Sequence, residues 1–396
     1  MTMTIQERPQ TAAATSGTGR WTRVLRLLTS RTAVLLVSAL LLVMYFQQAS
    51  GGLFVTPTNA SLLLRQTAVV AVVAAGVAIL IIMGEIDLSI GSAAFLAGLV
   101  AAQCQVAGAS VALSVLAALA TGILIGLVQG MVITRLAVPA FVVTLAGLLL
   151  WRGIGLMWTN AAAVGPVSSD FSDLAEGRMS SVTMFLLAAG VLTFGAWSAY
   201  SRYQSAREDG AVPVGSILGG AVTWIALAGA LLWIGTGSTG LPNAILWIAA
   251  IVVVLELAMT RAKFGRRGFL VGSNREAAMY AGINVKRAVL FGFVIMGAIC
   301  GIAGTMLIAR VGTSTADSGI NLELTGIAAA VIGGVSLRGG IGSIRGALLG
   351  AFLLSTIDNG MSLLGVSSYA ESVVKALILV FAVGLDGYFT RRQLLR

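Results

Sequence analysis

Long apolar runs separated by short polar stretches constrain this chain more than any other feature of its sequence. A helix needs about 20 mostly apolar residues to cross the roughly 30 Å hydrocarbon core of a bilayer. Runs of about this length predict twelve membrane-spanning helices, at 32–48, 62–83, 91–107, 111–133, 138–158, 182–200, 215–234, 243–260, 288–309, 324–337, 344–364 and 371–389. The run 324–337 is short, which favours a broken or re-entrant helix there. We therefore predict an all-α fold, a polytopic transmembrane helical bundle.

The composition agrees with a membrane protein and excludes several kinds of chemistry. Hydrophobic residues make up 58% of the chain and charged residues 10%, whereas soluble proteins have about 45–50% and about 25%. The chain has no histidine, so it has no imidazole base or imidazole metal ligand. Cys104 and Cys300 stand singly inside apolar runs, which predicts neither a disulfide framework nor a C-x-x-C metal site. We expect no catalytic residue, no metal and no cofactor.

Sequence patterns that bind nucleotides are absent or occur out of context. None of the three lysines, Lys263, Lys286 and Lys375, stands in the Walker A sequence G-x-x-x-x-G-K-[ST]. We therefore predict that this chain does not hydrolyse ATP by that route. One G-x-G-x-x-G lies at 235–240, but it follows an apolar run and precedes Pro242, which favours a turn between two spans. The net charge of +10 comes without a soluble basic domain, so nucleic-acid binding is not expected.

Basic residues are concentrated in three polar segments, and these set the predicted orientation. The segments are 1–31, 261–287 and the C-terminal end. Lys and Arg accumulate in the cytoplasmic loops of membrane proteins. With twelve crossings, both termini and 261–287 fall on one side, which we predict to be cytoplasmic. The predicted organisation is a disordered tail over 1–31 and a single transmembrane domain over 32–390.

The segment 84–92 carries two carboxylates, Glu85 and Asp87, between apolar runs. Carboxylates near hydrocarbon are costly unless they are paired or hydrated. One interpretation is a polar turn in which the hydroxyls of Ser89 and Ser92 cap the following helix. The other is a helix break that lines a solute path, as broken helices do in transporters. Spacing alone leaves both interpretations open.

The segment 333–346 is rich in glycine, and several polar residues lie inside apolar runs. Glycine costs about 1 kcal/mol relative to alanine in a helix interior, so a lipid-exposed helix is not expected over 333–346. Irregular backbone at membrane depth survives only inside protein or beside water.

Buried polar residues of a membrane protein are functional candidates, and those of this chain are Arg152, Asn160, Asp317, Asn321, Glu323, Asp358 and Asn359.

The basic segment 261–287 contains the signals of a short capped helix. Asn274 can cap its beginning, Glu276 lies in the first turn, and Gly282 follows its end. Small residues at helical spacing, Ala277, Ala278 and Ala281, give a smooth face. We favour docking of this helix into a groove of a partner protein, and a solvated surface helix is the alternative.

Three motifs together resemble the membrane permeases of bacterial ABC sugar importers of the ribose/xylose type. They are E-I-D-L-S-I-G-S at 85–92, the pattern from Phe264 to Val285, and the glycine-rich pattern from Gly333 to Ala347. The resemblance covers about residue 60 to 390. The elongated middle region 182–235 and the sequence Asp358 to Ser362 look most like the D-xylose permease subgroup.

The resemblance implies a transmembrane subunit that moves a monosaccharide, D-xylose or a related pentose, by alternating access. Its implied partners are a separate cytoplasmic ABC ATPase, as two chains or one tandem-domain chain, an extracytoplasmic sugar-binding protein, and a second permease copy. The implied location is the bacterial plasma (inner) membrane, in contact with its lipids. The ATPase is expected to dock on the cytoplasmic coupling segment 261–287, through Gly272, Asn274, Glu276, Ala277, Ala278, Gly282 and Ile283. Glu276 to Ala278 with Gly282 are similar to the coupling loop of other ABC importers.

Sugars present hydroxyl groups, so we expect polar side chains rather than fixed charges to dominate their path. The residues predicted to line it are Asp87, Ser89, Asn160, Asn321 and Asn359. Two other functions compete with an ATP-driven permease. A secondary cation-coupled sugar symporter can use intramembrane acids as proton carriers. A membrane-embedded enzyme is the weakest alternative, because the sequence contains no set of nucleophile and base.

Overall fold

The computed structural model describes residues 31–208 and 214–394, and they form helices joined by short connections. The helices are α1 (Arg31–Ala49), α2 (Pro57–Ile82), α3 (Ile90–Val106), α4 (Val111–Arg135), α5 (Ala140–Thr159), α6 (Ser169–Ser172), α7 (Ser181–Glu208), α8 (Val214–Gly235), α9 (Ala244–Thr260), α10 (Lys263–Ser273), α11 (Arg275–Tyr280), α12 (Val285–Val311), α13 (Leu322–Ile332), α14 (Ile344–Leu363) and α15 (Ser368–Leu394). The all-α prediction is confirmed. The predicted tail 1–31 lies outside the described residues, except for Arg31, at which α1 begins.

Each of the twelve predicted apolar runs overlaps a helix, although 333–337 of the run 324–337 are not helical, and local capping fixes several of the ends. Thr56, before Pro57 at the start of α2, accepts a hydrogen bond from the backbone N–H of Asn59. Within the described residues, five helices are long and apolar enough to cross a membrane: α2, α4, α5, α12 and the part of α7 up to residue 201. Helices α9 and α10 together are also long and apolar enough, and they give a sixth candidate if this bent pair is counted as one span. The predicted total of twelve crossings stays a prediction for the other helices.

The centre of the bundle is formed by α2, α3 and α12, and glycines allow the helices to approach closely. A Cβ atom added at Gly297 of α12 would meet the carbonyl oxygen of Gly122 in α4, and one added at Gly301 would lie 2.7 Å from the carbonyl oxygen of Ala118. Gly304 makes the corresponding contact with Ala94 of α3. Small residues are the usual means of helix association in membranes, because burial from lipid gives little hydrophobic driving force.

Two helices, α3 and α13, begin inside the bundle rather than at its ends. Helix α3 starts within the length of α12, since Ala94, in the second turn of α3, packs on Gly304 of α12. Helix α13 starts beside the middle of α2, where Gly326 packs on Val73 and Val77. At about 1.5 Å per residue, 11 residues of α13 span only about 16 Å. The prediction of a short or broken helix at 324–337 is therefore confirmed.

Helices α7 and α8 form a hairpin in the elongated middle of the sequence. Phe194 of α7 and Trp224 of α8 meet edge to face, with ring centroids 5.2 Å apart. The G-x-G-x-x-G sequence at 235–240 includes the last residue of α8 and continues into the turn before α9, as predicted. Residues 209–213 of the polar connector between the two helices lie outside the described residues.

One end of the bundle, here named the α10–α11 end, carries the basic segment. Helix α9 bends by 67° into α10. Met83, after the end of α2, packs against Gly268 of α10 and Gly292 near the start of α12. The opposite end holds the start of α2, where Asn59 is bonded to Asn359 of α14. The α10–α11 end thus gathers the end of α2, the start of α12 and the basic helices.

Candidate functional site

The carboxylates of segment 84–89 are buried inside the protein, in the non-helical stretch between α2 and α3. Asp87 Oδ1 accepts hydrogen bonds from the Ser89 backbone N–H (2.8 Å) and from the Ser89 hydroxyl (2.6 Å). Gln129 of α4 donates from Nε2 to the same hydroxyl (2.7 Å). Neither Ser89 nor Ser92 caps α3 in the manner predicted, because Ser89 bonds to Asp87 and Ser92 donates to the Ser89 carbonyl. The geometry favours the helix break over the solvated turn.

A fourth polar group, the indole of Trp151, lies beside this network. A methyl group added at Gly147 of α5 would meet Gln129 Nε2, Trp151 Nε1 (3.0 Å) and Ser89 Cβ (3.1 Å). The indole Nε1 is buried and has no hydrogen-bond partner in the described part of the chain. Buried polar groups in proteins are nearly always bonded. An unsatisfied donor here therefore suits a ligand hydroxyl or a water.

The first turns of α3 and α13 meet at a second buried carboxylate. A Cβ atom added at Gly91 of α3 would meet Oε2 of Glu323, which lies in the first turn of α13. The Gly91 backbone also contacts Gly319, just before α13. A helix N-terminus has a partial positive charge that favours an anion. One carboxylate thus holds two helix beginnings together within the bundle.

Arg152 of α5 connects this junction to the segment between α12 and α13. Its Nη1 donates to the carbonyl oxygens of Ala316 and Ser318, both at 2.8 Å. Its guanidinium stands 4.6 Å from the ring centroid of Phe95 in α3. A cation over an aromatic face is stabilised by the ring quadrupole. Arg152 therefore bridges α3, α5 and the entry to α13.

The structure brings together some of the residues predicted for a solute path and separates others. Asp87 and Ser89 are bonded to each other, and Asn321 lies at the start of α13, exposed and at φ 60°. Asn160 ends α5 and is exposed. Asn359 lies apart from them, because it is buried and forms a reciprocal amide pair with Asn59 (2.9 and 3.2 Å).

The short capped helix predicted in the basic segment is confirmed as α11. Asn274 Oδ1 accepts from the Ala277 backbone N–H (3.0 Å), Glu276 lies in the first turn, and Gly282 follows with φ 76°. A positive φ is available to glycine at no steric cost, so the chain can turn there into α12.

The exposed face of α11 differs from the predicted one at one position. Ala278 is buried, with 4% of its surface exposed, because it faces the bundle. Ala277, Met279 and Tyr280 are exposed, and Tyr280 is 93% exposed. The surface at α11 therefore has the small residues Ala277 and Ala281 beside the large side chains of Met279 and Tyr280.

The α10–α11 segment is joined directly to the end of α2 and to the glycine-rich segment 333–343. The Gly340 backbone N–H donates to the carbonyl of Ile82 (2.8 Å), and Gly272 of α10 packs on both of these groups. Arg275 of α11 forms an ion pair with Glu85 (2.7 Å). Burial raises the pKa of Glu85, and the adjacent Arg275 guanidinium opposes that rise. The segment that starts the helix break is thus tied to α11 by a charge-assisted hydrogen bond.

A cleft of ≈ 570 Å³ lies beside this junction. It is bounded by 84–86, by the connection between α4 and α5, and by α11 and the start of α12. Its polar lining includes Glu85, Thr134, Arg275 and Lys286. In the part of the chain that the structure describes, no cluster of three or more acidic or cysteine side chains could hold a metal ion.

Sequence reasoning missed three members of the buried network, namely Gln129, Trp151 and Gly147. Gln129 is a polar residue within the apolar run 111–133, and that position is a signal that could have identified it. Trp151 and Gly147 give no such signal, because a tryptophan or a glycine is ordinary in a membrane helix.

Comparison with known proteins gives a consistent set of matches. A family described as "Branched-chain amino acid transport system / permease component" matches residues 59–383. The xylose transport system permease protein XylH of Escherichia coli (strain K12) is 37% identical over 373 residues, which are 93% of this chain and 95% of that protein. XylH of Haemophilus influenzae is 34% identical over 369 residues, 91% of this chain and 97% of that protein.

A ribose permease is similar over a shorter range. The ribose import permease protein RbsC of Escherichia coli (strain K12) is 32% identical over 335 residues, 84% of this chain and 87% of that protein. No solved structure matches the chain.

Proposed function

Because the chain belongs to the family of permease components of branched-chain amino acid transport systems, and its relatives include xylose and ribose permeases, we propose that it carries a pentose, D-xylose or a close relative, across the membrane. It is a transport component of the sugar-importer type and not an enzyme. The observation that carries the proposal is the meeting of two helix beginnings, α3 and α13, beside a buried network of hydroxyl, amide and carboxylate groups. Discontinuous helices of this kind form solute sites in transporters.

The proposed path passes the groups around Gly147. Asp87, Ser89 and Gln129 offer acceptors and donors that match sugar hydroxyls, and the free indole Nε1 of Trp151 offers one more donor. Trp151 also has an apolar face of the kind on which a sugar ring can lie. Asn321 extends this polar surface towards α13. Asn160 is assigned to the mouth of the path at the end of the bundle opposite α10 and α11. The cleft beside Glu85 is the proposed exit. Asn359, paired with Asn59, supports the fold instead.

We expect Asp87→Asn to lower sugar transport while leaving thermal stability equal or higher. Among the described residues no basic side chain bonds to Asp87, so its charge is costly to bury. The amide oxygen can still accept from Ser89, but hydrogen bonds to the charged form are stronger, and a loss of about tenfold in initial uptake rate is expected. The measurements are uptake in proteoliposomes and the midpoint of thermal unfolding.

The matched control is Asp358→Asn, which leaves Lys375 without its ion-pair partner at 2.9 Å. We expect this variant to lose thermal stability and to keep its uptake rate per folded molecule. Uptake by Asp87→Asn at the wild-type rate would remove Asp87 from the path.

The energy source is proposed to be a separate ATPase that docks on the exposed face of α11. This face is exposed as docking requires, and the Arg275–Glu85 pair and the Gly272 contact connect it to the start of the helix break. Movement of α11 by a docked ATPase would therefore displace segment 84–89 directly. An extracytoplasmic sugar-binding protein and a second permease copy complete the proposed assembly.

Helix α1 ends, and α15 begins, at the end opposite α11, since Phe46 packs on Gly360. This supports cytoplasmic termini on the α11 side.

We expect Ala277→Trp to weaken binding of the ATPase by about tenfold or more, the loss seen when a central interface position is disrupted. Ala277 is exposed on α11, and a bulky side chain there would block close approach. The measurement is the amount of ATPase that co-purifies with the permease. Ala163→Trp places the same side chain at an exposed position between α5 and α6, and its co-purification should equal that of the wild type.

The experiment that tests the function as a whole is reconstitution with the ATPase and the binding protein. Uptake of radiolabelled D-xylose should require ATP inside the vesicle, where the α11 side of the inward-importing molecules lies, and should persist with an ionophore present. Uptake that is independent of ATP and abolished by the ionophore would support the cation symporter instead. Competition by ribose and galactose then ranks the sugars.

A further inference from the structure

A groove of ≈ 680 Å³ opens where α9 bends into α10, beside the start of α12. Its lining includes Phe264, Arg267, Asn284, Arg287, Phe291 and Ile295. It is separate from the buried network and from the cleft beside Glu85, with which it shares no lining residue. Of its lining residues, only Gly282 belongs to the set predicted to dock the ATPase.

The lining of this groove changes from polar to apolar along α12. Asn284 and Arg287 lie at the beginning of the helix, and Phe291 and Ile295 follow one and two turns later. Phe291 is 57% exposed. Because α12 is long and apolar enough to span a membrane, this order runs from the membrane surface into the hydrocarbon.

Helix α10 contributes Arg267 to the lining of the groove. It leaves α9 at 67°, and one face, Gly265, Gly268 and Val271, is buried while Arg266 and Arg267 are exposed. Its buried face packs on α9 and on the end of α2, so its basic side chains are left at the surface of this end of the bundle. Within the described residues, neither Arg267 nor Arg287 forms an ion pair.

We infer that this groove binds an anionic phospholipid, with the phosphate between Arg267 and Arg287 and one acyl chain along Phe291 and Ile295. Guanidinium groups are well suited to phosphate oxygens. Basic pockets between helices at the membrane surface bind anionic head groups. A segment of a soluble partner fits less well, because the apolar wall continues two turns into a membrane-spanning helix. The site would hold α10 at the membrane surface, next to the α11 face.

The test is native mass spectrometry of the purified full-length permease with phosphatidylglycerol or phosphatidylcholine added in detergent. The wild type should retain phosphatidylglycerol in preference to phosphatidylcholine. Arg267→Gln with Arg287→Gln should reduce the phosphatidylglycerol-bound fraction about tenfold, since two charge-assisted hydrogen-bonding groups are removed. The matched control is Arg261→Gln with Arg266→Gln, which removes the same charge at exposed positions outside the groove. It should bind like the wild type.

A second variant tests the apolar part of the groove separately from its arginines. Ile295→Trp fills the apolar part and keeps both arginines, and it should also lose the bound lipid. Soluble glycerol phosphate should not compete, since it lacks acyl chains. Equal retention of both lipids by the wild type would overturn the inference. Equal loss in the two arginine double variants, or displacement of the lipid by the bound ATPase, would overturn it as well.

Discussion

Gly297→Leu should prevent this protein from folding into a stable bundle. A Cβ atom at Gly297 would meet the backbone carbonyl of Gly122 and lie 3.0 Å from the Cα of Gly126. Backbone atoms of two packed helices cannot rotate away as a flexible side chain can. Overpacking a core typically costs about 1–3 kcal/mol, and the cost should lie at or above the upper end here. We expect the monodisperse peak in detergent size-exclusion chromatography to disappear.

The matched control is Gly229→Leu in α8. An added Cβ there has no atom within 4 Å, and the position is exposed. The two substitutions therefore differ in packing and not in chemistry. Equal chromatographic behaviour of the two variants would mean that α4 and α12 do not pack through their glycines.

Gly272→Leu should separate ATPase binding from sugar transport. The added side chain would collide with the Ile82 carbonyl and the Gly340 backbone N–H, which are bonded to each other. It would push α10 away from the end of α2 and from the glycine-rich segment. The exposed face of α11 would remain available to the ATPase. We expect transport to fall about 5- to 150-fold, the range that coupling free energies of about 1–3 kcal/mol span.

Two measurements test this uncoupling. Co-purification of the ATPase should stay within about twofold of the wild type, because only the internal contact is changed. Transport per folded molecule should fall, with the folded fraction determined from thermal unfolding. Arg266→Leu places the same side chain on an exposed position of α10 and should transport normally. Loss of ATPase binding in Gly272→Leu would show that the contact supports the docking surface itself rather than the coupling.

These predictions share one structural cause, the close approach of backbones at glycine. In α4 and α12 this approach holds two long helices together, and at Gly272 it joins a surface segment to the interior. In water, burial of large apolar side chains would supply most of this stabilisation. In a membrane, lipid is as apolar as leucine, so close packing and hydrogen bonds between helices have a larger part.

The sequence predicted the positions of the helices with few errors. Each of the twelve apolar runs overlaps a helix, and the short run at 324–337 contains most of the short helix α13, which ends at Ile332. Asn274 caps α11 as predicted. These features depend on interactions within a few residues of the chain, namely the hydropathy of one run and the bond from a cap to the first turn. Such information is present in any local window of the sequence.

The tertiary structure decided which buried polar side chains lie together. Asp87 and Ser89 were predicted from their position between apolar runs, but Gln129 and Trp151 join them only through packing. Asn359 was predicted for the path and is bonded instead to Asn59, 300 residues away in the chain. A polar residue in an apolar run must find a partner, and the sequence does not say which one.

The sequence alone therefore determined a polytopic all-α membrane protein with a polar interruption at 84–92 and a capped helix at α11. Only the tertiary structure placed Glu323 between the beginnings of α3 and α13, turned Ala278 towards the bundle, and set Gly272 against Ile82 and Gly340. The physical reason is the distance along the chain over which each interaction acts. Hydropathy and capping act along the chain over a few residues, whereas these contacts arise between helices that are distant in sequence and are brought together by close packing.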